Sequence, residues 1–194
     1  NDAAHCQIAD GGFIVQSDRM LGVRWADDFR PTASGPIDRV CWWPCWYNPN
    51  TPAECSDEAD KPPDDFRVRW YADAGGIPGA EIGFPGGEPL EPDAVASIDG
   101  SRCWTYSAPV TTPPVVNAGD CYWMEITGLG DIATGCTVYW NNNNSTGNSY
   151  ALNDQDGVWT GDDIQSSIGD EASDLGWCLG SGVIAGGCDH VAAC

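Results

Sequence analysis

The chain is short of aliphatic residues: Leu, Ile, Val and Phe together fill 33 of its 194 positions. It has a single lysine, Lys61, and two histidines, His5 and His190. No apolar run approaches the roughly 20 residues of a membrane-spanning helix, so no such span is expected. With both histidines beside the ends of the sequence and no Gly-x-Ser-x-Gly turn, a Ser/His nucleophile is excluded. Lys and Arg number 8 against 29 Asp and Glu, a net charge of −21. That balance argues against nucleic acid and anionic membranes as partners. The opening Asn1-Asp2-Ala3-Ala4-His5 lacks an initiator Met, a basic stretch and an apolar stretch. It reads as a mature protein after signal-peptide removal, placed outside the cell or on its surface.

Few aliphatics and a high net charge would ordinarily mean disorder. Two features oppose it. Ten Trp and six Tyr bury far more area per residue than aliphatics do. Ten cysteines, Cys6, Cys41, Cys45, Cys55, Cys103, Cys121, Cys136, Cys178, Cys188 and Cys194, are spread along the whole chain. Their even number and spread predict a disulfide framework, which restricts the unfolded chain. Zinc ligation would want Cys-x-x-Cys pairs, and none occurs. Connectivity stays open, since ten cysteines allow about 945 pairings. The seven arginines are expected to pair with particular carboxylates, for which their planar fork is suited.

Period-2 patterns punctuated by Gly, Pro, Asn and Asp dominate. In the clearest, Phe66, Val68 and Trp70 face one way, Arg67 and Arg69 the other. Further strands are predicted at 12–16, 20–29, 37–46, 102–110, 115–127, 136–141, 149–153 and 175–179, with long loops at 49–63 and 93–100. Only 162–173 offers a helical turn or two. Strands at this spacing predict an all-β, two-layer sandwich of jelly-roll type, stapled by disulfides. The sandwich would take residues 1–179, and the Gly-rich, Cys-containing segment 180–194 would be a strap or assembly segment. Asp27-Asp28-Phe29-Arg30 recurs as Asp64-Asp65-Phe66-Arg67, read as two similar strand entries with Phe inward and carboxylates at the rim.

Chemistry-bearing patterns are sparse. Adjacent acids such as Asp27/Asp28 and Asp64/Asp65 point to opposite faces of a strand, so they do not form a glycosidase couple. No catalytic set and no cofactor are expected. Asp154, Asp156 and Asp163 resemble a fragment of a calcium loop, but Leu152 occupies the first ligand position, and a plain Asp-Gly turn is the better reading. Asn143 and Asn144 begin two overlapping glycosylation sequons, which predict an exposed loop. The run Trp42, Trp43, Trp46, Tyr47 has two readings: core or subunit contact, favoured because cysteines flank it, or an exposed surface that stacks on sugars.

The segments Ala26–Phe29, Val40–Tyr47 and Phe66–Gly79, followed by Tyr106–Ala108 and Gly119–Ile126, resemble a family of exported bacterial β-sandwich domains. The resemblance covers about residues 20–160 and implies a jelly-roll-like fold in an extracellular setting, with no catalytic residues to carry over. The cysteines and the Gly-rich tail look like the reinforcement of extracellular filament subunits, in which a terminal strand of one subunit completes the sheet of the next. The chain is therefore expected to be a structural subunit that self-associates into a homopolymer. The alternative is a secreted carbohydrate-binding or adhesion module with a glycan partner.

Overall fold

The computed structural model describes residues 5–7, 14–51, 55, 61–97, 102–131, 133–143, 152–154, 158–159 and 174–180. Among these the chain is all β. The first sheet has the order β1 (His5–Gln7), β17 (Trp177–Gly180), β5 (Arg39–Trp42), β11 (Trp104–Pro109), β10 (Ala94–Ser97). The second runs β15 (Leu152–Asp154), β3 (Arg24–Phe29), β13 (Tyr122–Gly128), β7 (Phe66–Asp73), β8 (Pro78–Ile82), with β9 (Glu88–Leu90) also on β7. A third joins β16 (Asp174–Leu175), β14 (Thr137–Asn143) and β2 (Ile14–Gln16), with β6 (Pro44–Tyr47) also on β14. A two-residue ribbon pairs β4 (Gly35–Pro36) with β12 (Val115–Val116). Every pairing between these strands is antiparallel.

The sheets pack on one another through aromatic side chains. From the first come Trp42, Tyr106 and Trp177; from the second, Phe29, Phe66, Trp70 and Met124. Trp42 meets Phe66 edge-on at 5.2 Å and Phe29 meets Trp177 at 6.0 Å, so the rings interlock across the layers. This is how so few aliphatics make a core. Disulfides add to it: Cys45–Cys103 closes a separation of 58 residues and Cys55–Cys136 one of 81. In the chain-entropy account each is worth about 4 kcal/mol. Cys121 and Cys178 are disulfide-bonded as well.

Several expected boundaries move. The strand expected at 37–46 breaks at Trp43: β5 pairs with β11 and β17, whereas β6 pairs with β14 in another sheet. The strand expected from Met20 starts at Arg24, because buried Asp18 accepts hydrogen bonds from the amides of Met20, Gly130 and Val138 and holds 18–23 as a turn. Gly22 closes that turn at φ 69°. β10 lies in the stretch expected to be a loop. The expected rim position is correct for Asp64 and Asp65, which are exposed, and wrong for Asp27 and Asp28, which are 0% and 5% exposed. Neighbouring Trp and backbone donors take Asp27 inside. Most of 180–194 and the helical candidate 162–173 lie outside the described residues.

Candidate functional site

Among the described residues, two groups of polar side chains bear on function. The first is the seat of β17. This strand lies between β1 and β5, with Trp177 opposite Trp42, Cys178 opposite Cys41 and Leu179 opposite Val40. Alternation sends Trp177 and Leu179, each 1% exposed, into the core and Cys178 to the other face. At the floor of the seat Asp27 accepts the Trp177 indole N–H at 2.6 Å and the Leu175 amide at 3.3 Å. A buried carboxylate is costly unless donors surround it, so this contact makes insertion of β17 specific as well as apolar.

The second lies on the other face of the second sheet. Alternation along β13 places Trp123, Glu125 and Thr127 there, and along β7 Arg67, Arg69 and Tyr71. Glu125, fully buried, accepts from Arg69 at 3.0 Å, Arg24 at 3.4 Å and the Tyr71 hydroxyl at 2.6 Å. Burial raises the Tyr71 phenol well above its ordinary range, and the adjacent Glu125 charge raises it further. Burial pulls the Arg69 pKa down, but Glu125 and Tyr71 outweigh it and the net shift is upward. The half-buried Trp159 ring stands over this group, 5.5 Å from the Arg24 guanidinium and 5.5 Å from the Tyr71 ring. Nearby, Asp73 accepts from the Trp123 indole and the amides of Gly75 and Gly76. Burial acts to raise its pKa, but those donors outweigh it and hold Asp73 below the usual carboxylate range. Arginines and an aromatic ring beside carboxylates can hydrogen-bond hydroxyls and stack on a sugar ring.

Three more cations pair with carboxylates, whereas Arg30 donates instead to the Cys121 sulfur. Arg19 meets Asp65 at 2.6 Å and Arg39 meets Asp93 at 2.7 Å. Lys61 meets Asp64 at 2.6 Å, its side chain 6% exposed and its ammonium about 6 Å from the rings of Trp46, Trp104 and Tyr106.

The aromatic run is corrected as a sugar-stacking surface. Trp42, Trp43 and Trp46 are 1%, 9% and 0% exposed: β5 and β6 turn Trp42 and Trp46 into the packed core, and Trp43 sits at the break between them. Tyr47 is half-buried, edge-on to Tyr139 at 5.7 Å, with the Arg102 guanidinium 5.0 Å over its ring. Asn143 ends β14 opposite Asp174 and so begins its sequon in a strand; Asn144 lies outside the described residues. Asp154 sits opposite Arg24 in register, and Asp156 and Asp163 fall outside the described residues. Among the described residues no group of three or more His, Cys, Asp or Glu is placed to hold a metal ion. Cys6 lies in β1, and Cys188, Cys194 and His190 are outside the described residues. Cys41 is a free thiol.

No protein-family model matches the chain, and no curated protein sequence matches it either. Its reading therefore rests on its own residues. The Glu125 group was missed by sequence reasoning although half its signal was present: the alternation of β7 and β13 sets its residues on one face, but only the pairing of β13 with both β3 and β7 brings Arg24 and Arg69 to one carboxylate.

Proposed function

We propose that the protein is an exported structural subunit that joins copies of itself into an extracellular filament or surface assembly by exchanging β17. The observation that carries this reading is the seat of that strand. β17 is four residues long and is hydrogen-bonded on both sides. Its contribution to the core is concentrated in Trp177 and Leu179, which fill a slot whose floor holds a matched carboxylate, Asp27. A short strand with its own specific anchor can enter the same slot from a second copy with its contacts unchanged, which is the logic of strand addition and domain swapping. Disulfides suit an oxidising setting, and the acidic surface suits solubility before assembly. Electron microscopy of native material tests it. Filaments or a lattice are expected, with Trp177→Asp leaving unassembled subunits; native material holding only monomers overturns the reading.

A second reading is favoured by one observation, the half-buried Trp159 beside Arg24, Tyr71 and Glu125. It is a carbohydrate-binding or adhesion module with its site on that face. A broad glycan array tests it: binding that Trp159→Ala abolishes supports it, and an array without binding counts against it.

A further inference from the structure

The β17 seat sets three cysteines in register across adjacent strands. Cys6 in β1, Cys178 in β17 and Cys41 in β5 stand directly opposite one another in register. Cys178 is in a disulfide and Cys41 is a thiol. Directly paired residues on adjacent antiparallel strands have Cα atoms about 4.5 or 5.5 Å apart. Both spacings lie in the range a disulfide spans, roughly 4.4–6.8 Å. The chain already bridges such a pair, since Cys45 and Cys103 face each other at an antiparallel bridge with Cα atoms 4.0 Å apart. Cys41 is half-buried on the face away from the core, beside Ser107, which the Arg39 guanidinium contacts at 2.6 Å.

We propose that Cys41 of one copy captures Cys178 of the β17 inserted from the next, converting strand exchange into a covalent link. The inference rests on the β17-exchange reading above. The step is thiol–disulfide exchange. The Cys41 thiolate attacks the Cys178 sulfur, a Cys41–Cys178 bond forms, and the bond between Cys178 and its former partner breaks. That partner leaves as a thiolate and takes up a proton from water, equivalent to the one Cys41 gave up. One disulfide is consumed and one is made, so neither oxidant nor reductant is needed. The register supplies the geometry: whichever copy provides β17, its Cys178 arrives opposite Cys41.

The test mixes unlabelled and heavy-nitrogen-labelled subunits before assembly, quenches with N-ethylmaleimide at low pH, and maps disulfides by mass spectrometry without reduction. Linked Cys41 and Cys178 peptides of mixed isotope are expected. So is a ladder of covalent multimers on non-reducing gels, which collapses with dithiothreitol and is lost in Cys41→Ser and Cys41→Ala. Filaments without that linkage overturn the covalent link and leave strand exchange standing. A Cys41–Cys178 linkage found only within single-isotope pairs overturns it too. Absence of any assembly overturns both. The peptide map is read on the wild-type chain, so the outcome does not depend on either variant folding.

Discussion

Trp177→Phe removes the indole N–H that meets Asp27 at 2.6 Å while leaving an aromatic ring in the slot. Both partners are buried, at 1% and 0% exposure, so water cannot replace the donor. A hydrogen bond to a charged acceptor in such a place contributes about 1.5–3 kcal/mol. The smaller ring leaves part of the slot unfilled, at a further cost of about 1 kcal/mol. The expected loss is about 3 kcal/mol, or roughly 6–12 °C in Tm for a chain of this size. Equilibrium urea unfolding of the oxidised protein, followed by far-UV circular dichroism, measures it. Asp27→Asn alone and the double variant complete a thermodynamic cycle. Because the residues touch, a coupling of at least about 1 kcal/mol is expected. A Trp177→Phe loss below about 1 kcal/mol, or additive single effects, would refute the claim that Asp27 anchors β17.

Acid should destabilise the fold through Asp73. Its carboxyl is held below its ordinary value, so its contribution is complete above the usual carboxylate range near 4 and is lost as pH falls through the lower folded value. Urea midpoints between pH 5 and pH 2 should fall less steeply in Trp123→Phe, which lacks the indole donor. Glu125→Gln should cost about 2 kcal/mol, less than a fully buried pair because the Arg24 and Arg69 side chains are 24% and 20% exposed. Thermal unfolding reads this as a drop of roughly 4–8 °C. A Cβ at Gly130 would fall 2.2 Å from the Asp18 carboxylate and 2.6 Å from the Cys136 carbonyl. Gly130→Ala should therefore lower stability by about 1–3 kcal/mol, and an unchanged urea midpoint would show that the turn yields at no cost.

Fold class was legible because alternation and turn residues are local signals. Phe66, Val68 and Trp70 face the core and Arg67 and Arg69 the other way, as their spacing predicts. What was not legible depends on long-range pairing. The break at Trp43 follows from β5 and β6 finding partners in different sheets, and nothing local in a run of Trp and Pro announces it. Asp27 looked like a rim acid because its donor, Trp177, lies 150 residues away. For the same reason the Arg24, Arg69 and Glu125 group could be assembled only once strand order was known. The tryptophans were legible as buried or exposed but not as which, since aromatic rings serve both ends equally well.

The burial of Lys61 bears on how this chain can be handled. It is the only lysine, and with 6% of its side chain exposed and Asp64 at 2.6 Å, its amine is shielded in the folded protein. Succinimidyl dyes, which need an accessible amine, will find no ready target among the side chains. Trypsin is left with arginine: Arg24, Arg39, Arg67 and Arg69 lie in hydrogen-bonded strands whose backbone cannot enter a protease cleft without local opening, which leaves Arg19 and Arg102, outside the strands, as the sites open to it. A protein that takes up little amine dye can be abundant in a sample and still be undercounted there.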